Sequence, residues 1–343
     1  LSKLKINLKP IEAQVAVVFG ASSGIGRLTA LEFAGRGAKV CVAARSEDGL
    51  KSLVSEIESA GGEAFYVLAD AADFEQVKAV ADKTVERYGR LDTWIHSAGA
   101  FIFAPFTDTE PEEYARLIEV NLLGQIYGAK AAFPYLEKRG GALIHITSVE
   151  AWRTVPFQSA YGASKHGVYG FLQALRVEFA HNEIPVAVTQ ILPAAINTPI
   201  YDKGRNKMPF KPRPVPPIYH PQIVVDAIVY AAENETKDLI AGGAGAGVVG
   251  AERFSPGLTD WVTEKVAFVG QTTDIPNPGK YDGNLFEPLE TKFDTVEGRF
   301  SDEQFESDPY TYLATRPNVR NTLLTAGAVV GGFLLWRALQ KKQ

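Results

Sequence analysis

A five-residue apolar run, Val15 to Phe19, passes without a linker into Gly20-Ala-Ser-Ser-Gly24-Ile-Gly26 and then into a helical pattern from about Arg27. That context gives each glycine a physical task. Gly20 permits a tight turn, Gly24 lets the backbone approach a pyrophosphate, and Gly26 lets helix and strand pack closely, with the helix N-terminus facing the anion. Ser22, Ser23 and Ile25 lie in the same loop, so the candidate dinucleotide cradle is Gly20, Ser22, Ser23, Gly24, Ile25 and Gly26. The alternative is an ordinary strand-helix turn.

The rest of the chain fits the cradle. Short β-branched runs alternate with longer helical patterns, as in βαβ units. The runs Val15 to Phe19, Lys39 to Ala44, Ala64 to Ala69, Thr93 to His96, Ala142 to Thr147, Val186 to Leu192 and Leu239 to Ala241 read as seven buried strands. Glu47 to Ser59, Phe74 to Tyr88, Glu112 to Gly128 and Ala160 to Ala180 read as helices. Right-handed crossovers turn this order into an α/β, Rossmann-type, doubly wound seven-stranded parallel sheet with helices on both faces.

Three segments break the rhythm. Met208 to Pro221 holds six prolines, which predicts a stiff, extended loop. Gly242 to Gly250 holds five glycines without a following Gly-Lys-Ser/Thr, so a sheet-edge turn is expected there rather than a second phosphate loop. Gln271 to Arg320 is polar and turn-rich, which predicts an irregular extension. The expected organisation is a dinucleotide-binding domain over 1–255 with a lid at about 194–221, an irregular extension over 256–320 and an apolar C-terminal helix over 321–343. Thr322 to Leu339 is interrupted only by Arg337 and would span about 27 Å as a helix. Its small residues Gly327, Ala328, Gly331 and Gly332 suit close helix association, so membrane association through 321–340 is expected. The alternatives are a helix buried in a dimer or lying flat in the interface.

Charge and cysteine usage narrow the function. A formal net charge of -5 from 35 basic and 40 acidic side chains leaves no basic stripe for a phosphate backbone, so nucleic acid is not an expected partner. The single cysteine, Cys41, cannot form an internal disulfide. Leu1 to Pro10 lacks the apolar run of a secretory signal, and a cytoplasm-facing location is expected.

Arg45 follows the second strand, where an NAD-preferring site would usually carry an acidic side chain for the ribose hydroxyls. A guanidinium there suits a 2′-phosphate, which favours NADP(H) and leaves NAD(H) open. Asp70, past the third strand, is placed to accept from the adenine amino group, and Asp73 is the better helix cap.

Tyr161-Gly-Ala-Ser-Lys165 places a phenol and an ammonium four residues apart on one helix, so both share a face. A phenol titrating near ~10 is a poor base at neutral pH, and a nearby ammonium favours its phenolate. With Ser148 thirteen residues upstream and Asn121 in Glu-Val-Asn-Leu-Leu-Gly, the sequence from Ala13 to about Gly250 resembles the short-chain dehydrogenase/reductase family.

The resemblance implies that Asn121, Ser148, Tyr161 and Lys165 form the catalytic set. Tyr161 would donate a proton to a carbonyl oxygen as hydride arrives at carbon, Ser148 would hold that oxygen, and Asn121 would hold a water linking Lys165 to solvent. It adds Ala98, Gly99, Asn121, Tyr161, Lys165, Pro193 and Thr198 to the cofactor contacts, and implies a homodimer or homotetramer. Two departures stand out. His96-Ser97 replaces the family's usual Asn-Asn, so Ser97 is expected to supply part of the missing hydrogen bonding, and Ala194 replaces a common glycine after Pro193.

The lid Ile200 to His220 offers Phe210, Ile218 and Tyr219 as apolar contacts, which suits a small lipophilic carbonyl or alcohol. No metal is expected, because His145, His166, His181 and His220 lack paired spacing, and His145 reads as a satisfied core histidine. The competing reading is a non-catalytic dinucleotide sensor or membrane scaffold of the same fold.

Overall fold

The computed structural model describes residues 6–277, 281–289 and 291–325. Seven strands form the central sheet: β1 (Val15–Phe19), β2 (Lys39–Ala44), β3 (Glu63–Leu68), β4 (Thr93–His96), β5 (Gly141–Ile146), β6 (Val186–Pro193) and β7 (Asp238–Ala241). They are all parallel, in the order β7-β6-β5-β4-β1-β2-β3. The order reverses beside β1, and in such sheets the crevice beyond the strand C-termini at the reversal is where ligands bind.

Helices α1 (Gly24–Gly35), α2 (Glu47–Ser59), α3 (Phe74–Tyr88), α4 (Pro111–Ile118), α5 (Gly124–Leu136), α6 (Ser159–His181), α7 (Ile200–Lys203), α8 (Gln222–Glu233), α9 (Gly243–Phe254), α10 (Pro256–Gly270) and α11 (Pro309–Ala314) follow. Alternation along β1 assigns the two layers. Ala16 and Val18 face a core built with Phe33, Leu50, Leu53, Val224 and Ile228, whereas Val17 and Phe19 face one built with Val77, Val80, Ala132, Val168 and Leu172. Burial of each large apolar side chain contributes about 1.5–3 kcal/mol, so both faces are firmly covered.

Four expectations need correction. Helix α1 begins at Gly24, not near Arg27, because Ser23 already has the extended backbone of an N-cap. The pattern Glu112 to Gly128 is not one helix: α4 and α5 are joined by a π turn over Glu119–Leu123, and the second helix continues to Leu136. The glycines after β7 open α9 rather than a sheet-edge turn. Their missing side chains explain it, because a Cβ on Gly245 would lie 2.7 Å from Val149 Cγ1 and 3.0 Å from Ala194 Cβ, so close packing overrides weak helix propensity. Finally, the extension begins as helix α10, and only after Gly270 becomes mostly irregular.

Beyond α10 the chain wraps back over the domain. Thr272–Pro276 pairs antiparallel with Phe210–Pro212, and Gln304–Phe305 pairs parallel with Ile218–Tyr219. Both partners lie in the proline-rich lid, which is extended as its composition predicts. Among the described residues, no helix is long and apolar enough to cross a membrane. Residues 317–325 are helical, and the remainder of the expected apolar helix, 326–343, lies outside the described residues.

Candidate active site

The cradle is built by close contact. Gly20 has φ +87°, and a Cβ there would lie 2.3 Å from the Ala98 backbone nitrogen. On Gly26 a Cβ would lie 2.2 Å from the Gly20 carbonyl oxygen, so the strand-to-helix turn closes only without side chains. Ser23 makes no side-chain cap, and the amides of Ile25 and Gly26, in the first turn of α1, lack intrahelical acceptors. These features fit a dinucleotide pyrophosphate. Gly26→Ala is expected to destabilise the fold by about 1–3 kcal/mol and to weaken dinucleotide binding, because backbone must move. Thermal melts and a dinucleotide titration check this; an unchanged melt and affinity would refute the packing argument.

The adenosine end has a wall that sequence reasoning missed. Residues 284–289 and 291–295 of the extension lie across it as a strap. Arg45 donates to the carbonyls of Asn284 (2.5 Å) and Phe286 (2.8 Å). The Gly24 amide donates to the Thr295 carbonyl at 2.8 Å. Asp294 accepts from Ser46 Oγ (2.9 Å) and Lys203 Nζ (3.2 Å), and Lys203 also donates to Ser23 Oγ (3.1 Å). Nothing in the sequence marked this role, since three of the bonds use backbone carbonyls. Asp70 is likewise more committed than expected. Its carboxylate accepts from Arg116 Nη2 (2.5 Å) and the Ala72 amide (2.9 Å), with Arg45 at 4.0 Å, although it still lines the cavity. Asp73 caps α3 by accepting from the Gln76 amide at 3.1 Å.

Ser148, Tyr161 and Lys165 line one cavity of about 500 Å³, together with Gly20, Ser22, Ser23, Gly24, Ile25, Arg45, Asp70, Ala98, Gly99, Pro193 and Thr198. Gly26 and Asn121 stand behind its wall. Ser148 sits just beyond β5, and its Oγ accepts from the Glu150 amide at 3.1 Å. Tyr161 and Lys165 project from the first turns of α6. Lys165 Nζ lies 5.3 Å from the Tyr161 ring centre and donates to the Ile146 carbonyl at 3.2 Å.

Burial sets the titration of both. It pushes the Tyr161 phenol well up, aided by Glu150 and Tyr201 and opposed by the Ser148 hydroxyl, so the phenol is protonated. It pushes Lys165 down to about 8, opposed by Glu150. Desolvation, not the Lys165 ammonium, therefore dominates the Tyr161 phenol.

Asn121 sits in the π turn, fully buried. It accepts from the Ala100 amide (2.7 Å) and donates to the Ala100 carbonyl (2.9 Å) and Ser164 Oγ (3.2 Å). It thus clamps the loop carrying Ala98 and Gly99.

The His96-Ser97 departure is compensated elsewhere. Gln125, unremarked in the sequence, donates to the carbonyls of His96 (3.4 Å) and Ile146 (3.3 Å), bridging β4 and β5. His96 stacks on Phe19 at 5.0 Å and is held neutral by burial. Ser97 contributes a backbone bond to Phe19, not the expected side-chain substitute. Ala194 is accommodated because a glycine lies against it just beyond the neighbouring strand: a Cβ on Gly242, at φ +109°, would lie 2.7 Å from the Ala194 methyl. His145 is buried and neutral, with Nδ1 bonded to Gln125 but no partner at Nε2 among the described residues, so it is only half satisfied there. Among the described residues no cluster of metal ligands occurs.

The apolar end differs from expectation. Phe210 is exposed, and Ile218 and Tyr219 are buried behind the cavity instead of lining it. Val215, Pro216 and Pro217 line it from the lid, and Val248, Val262 and Val266 from α9 and α10. The sequence alternation of the lid gave no means to choose between these neighbours.

A model of the short chain dehydrogenase family matches residues 14–209. The chain is 33% identical over 346 residues to the uncharacterized oxidoreductase YxnA of Bacillus subtilis, covering 99% of this chain and 94% of that protein. It is 32% identical to the 3-oxoacyl-[acyl-carrier-protein] reductase FabG of Thermotoga maritima, covering 66% of this chain and 93% of that one. A structure of an alcohol dehydrogenase from Thermococcus sibiricus, complexed with 5-hydroxy-NADP, matches 66% of this chain and 95% of its own at 27% identity and a TM-score of 0.59.

Proposed function

The chain belongs to the short-chain dehydrogenase family, oxidoreductases acting on CH–OH groups, and from this premise we propose that it interconverts a carbonyl and a secondary alcohol of a bulky apolar compound with NADP(H). The observation that carries the reading is that Ser148, Tyr161 and Lys165 share one cavity with the glycine cradle, and that this cavity continues into an apolar end.

The bound dinucleotide supplies or takes the hydride. The protein handles the proton. In the reductive direction the Tyr161 phenol donates to the carbonyl oxygen, while the Ser148 hydroxyl holds that oxygen in place. Lys165 keeps a positive charge beside the phenol and stabilises the anion it leaves. Asn121 fixes the loop carrying Ala98 and Gly99, which would hold the nicotinamide end. Arg45 takes the 2′-phosphate, which is the basis for preferring NADPH over NADH. The archaeal alcohol dehydrogenase structure, complexed with an NADP derivative, supports this choice.

The test is NADPH with a panel of aromatic, steroidal and long-chain carbonyls, followed by loss of the reduced nicotinamide absorbance. Turnover of at least one is expected. Normal NADPH binding with no turnover across the panel would favour a dinucleotide sensor instead.

A pH dependence follows from Lys165. Its pKa is lowered to about 8, so the ammonium is present below that value and lost above it. Reductive kcat is therefore expected to be level at neutral pH and to fall as pH rises through about 8. A profile that rises through this window would remove Lys165 from the proton relay.

A further inference from the structure

The substrate end of the cavity is mostly hydrocarbon, with Val149, Val155, Val215, Val248, Val262 and Val266 on its walls. Its charged groups are nearly all paired. Arg153 Nη1 lies 2.6 Å from Asp260 and 3.6 Å from Glu252, and Arg213 Nη2 lies 2.5 Å from Glu303. Gln158 donates to Gln271 at 2.6 Å. The two arginines leave an Nε without a partner, but their charge is met. Glu150 is different. It lies two residues beyond Ser148 on the same cavity wall, and among the described residues it makes no salt bridge and its buried Oε2 has no hydrogen-bond partner.

A buried carboxyl oxygen without a partner costs free energy comparable to a lost hydrogen bond, so a polar atom kept there needs a reason. Among the described residues nothing supplies its missing partner. Glu150 itself lines the cavity where the substrate would sit. We propose that Glu150 is a specificity-determining residue that hydrogen-bonds a hydroxyl group on the apolar skeleton of the substrate, so that the preferred substrates are hydroxylated lipophilic ketones and, in reverse, the corresponding diols.

The chemistry of the site agrees with a hydroxyl. Burial pushes the Glu150 carboxyl up to about 8, opposed by the Val155 amide and by Lys165, so at neutral pH the group is mainly a neutral acid. A neutral carboxyl both donates and accepts, which matches an alcohol. A site made to bond a hydroxyl rejects the analogue without it, because its own polar atom is then left unpaired.

The inference rests on the oxidoreductase reading of this cavity, and the two can be separated. The experiment compares α-tetralone with a set of isomers hydroxylated at successive carbon atoms. Each is measured for turnover with NADPH and, by calorimetry, for binding to the enzyme–NADP+ complex. At least one hydroxylated isomer should bind and react better than the parent. Glu150→Ala should lower that advantage, taken as the ratio of hydroxylated isomer to parent within the same variant, about 10- to 100-fold while NADP+ affinity stays nearly unchanged. Glu150→Gln, which keeps a donor and an acceptor, should retain most of it.

Selective binding without turnover would support the inference and sink the reductase reading. Turnover with no isomer preferred over the parent would do the opposite. Equal loss on parent and hydroxylated ketones in Glu150→Ala would overturn the inference in either case.

Discussion

Tyr161→Phe is expected to lower kcat about 10²- to 10⁴-fold while leaving dinucleotide affinity and thermal stability close to wild type. The substitution removes one oxygen and keeps the ring, so the packing of Tyr161 against Phe101, at 5.8 Å between ring centres, survives. What is lost is the proton donor. Burial keeps the phenol protonated in the free enzyme, so it stands ready to donate in the reductive direction and needs no prior proton uptake. Steady-state kinetics with a responsive carbonyl, paired with a dinucleotide titration, checks this. A variant that retains wild-type kcat would show that another group moves the proton, and Tyr201, also on the cavity wall, would be the next to replace.

The second large effect is on cofactor choice. Arg45→Ala is expected to weaken NADPH binding about 10- to 100-fold and NADH binding much less, since charge-assisted hydrogen bonds contribute about 1.5–3 kcal/mol. The strap bears on this expectation. Two Arg45 donors already meet the carbonyls of Asn284 and Phe286, but carbonyls do not neutralise the guanidinium, and its fork has further donors to offer. The strap carbonyls hold the group on the cavity wall and reduce the entropy lost when a phosphate arrives. Equal weakening of both dinucleotides would mean that Arg45 serves only to anchor the strap. Raised salt should erode the NADPH advantage of wild type, because the contact is electrostatic.

The parts of this protein that could be read from sequence are those set by local chemistry. The seven strands lie within a residue of their expected bounds, since short β-branched runs between helical patterns have few other solutions. The tyrosine and lysine share a helix face by spacing alone.

Where reading failed, distant contacts decided. Glycines 242–250 look like a turn until Val149 and Ala194 require the close approach that makes them a helix. Glu112 to Gly128 looks like one helix, and the π turn at Asn121 appears only once that side chain clamps Ala100. The strap carries no periodicity, and its bonds to Gly24, Arg45 and Ser46 join residues more than two hundred positions apart. Gln125 and Glu150 were passed over because nothing in a single sequence marks a buried amide or an unpaired carboxyl.

The central claim is that this cavity moves hydride to a carbonyl carbon and a proton from Tyr161 to its oxygen. The most direct measurement uses NADPH deuterated at the transferring position, in a single turnover with a carbonyl from the panel. The account predicts deuterium on the carbinol carbon of the product with wild type, and almost none in the same time with Tyr161→Phe. Label that stays on the dinucleotide for every carbonyl tried, or that transfers equally fast without the phenol, would contradict it.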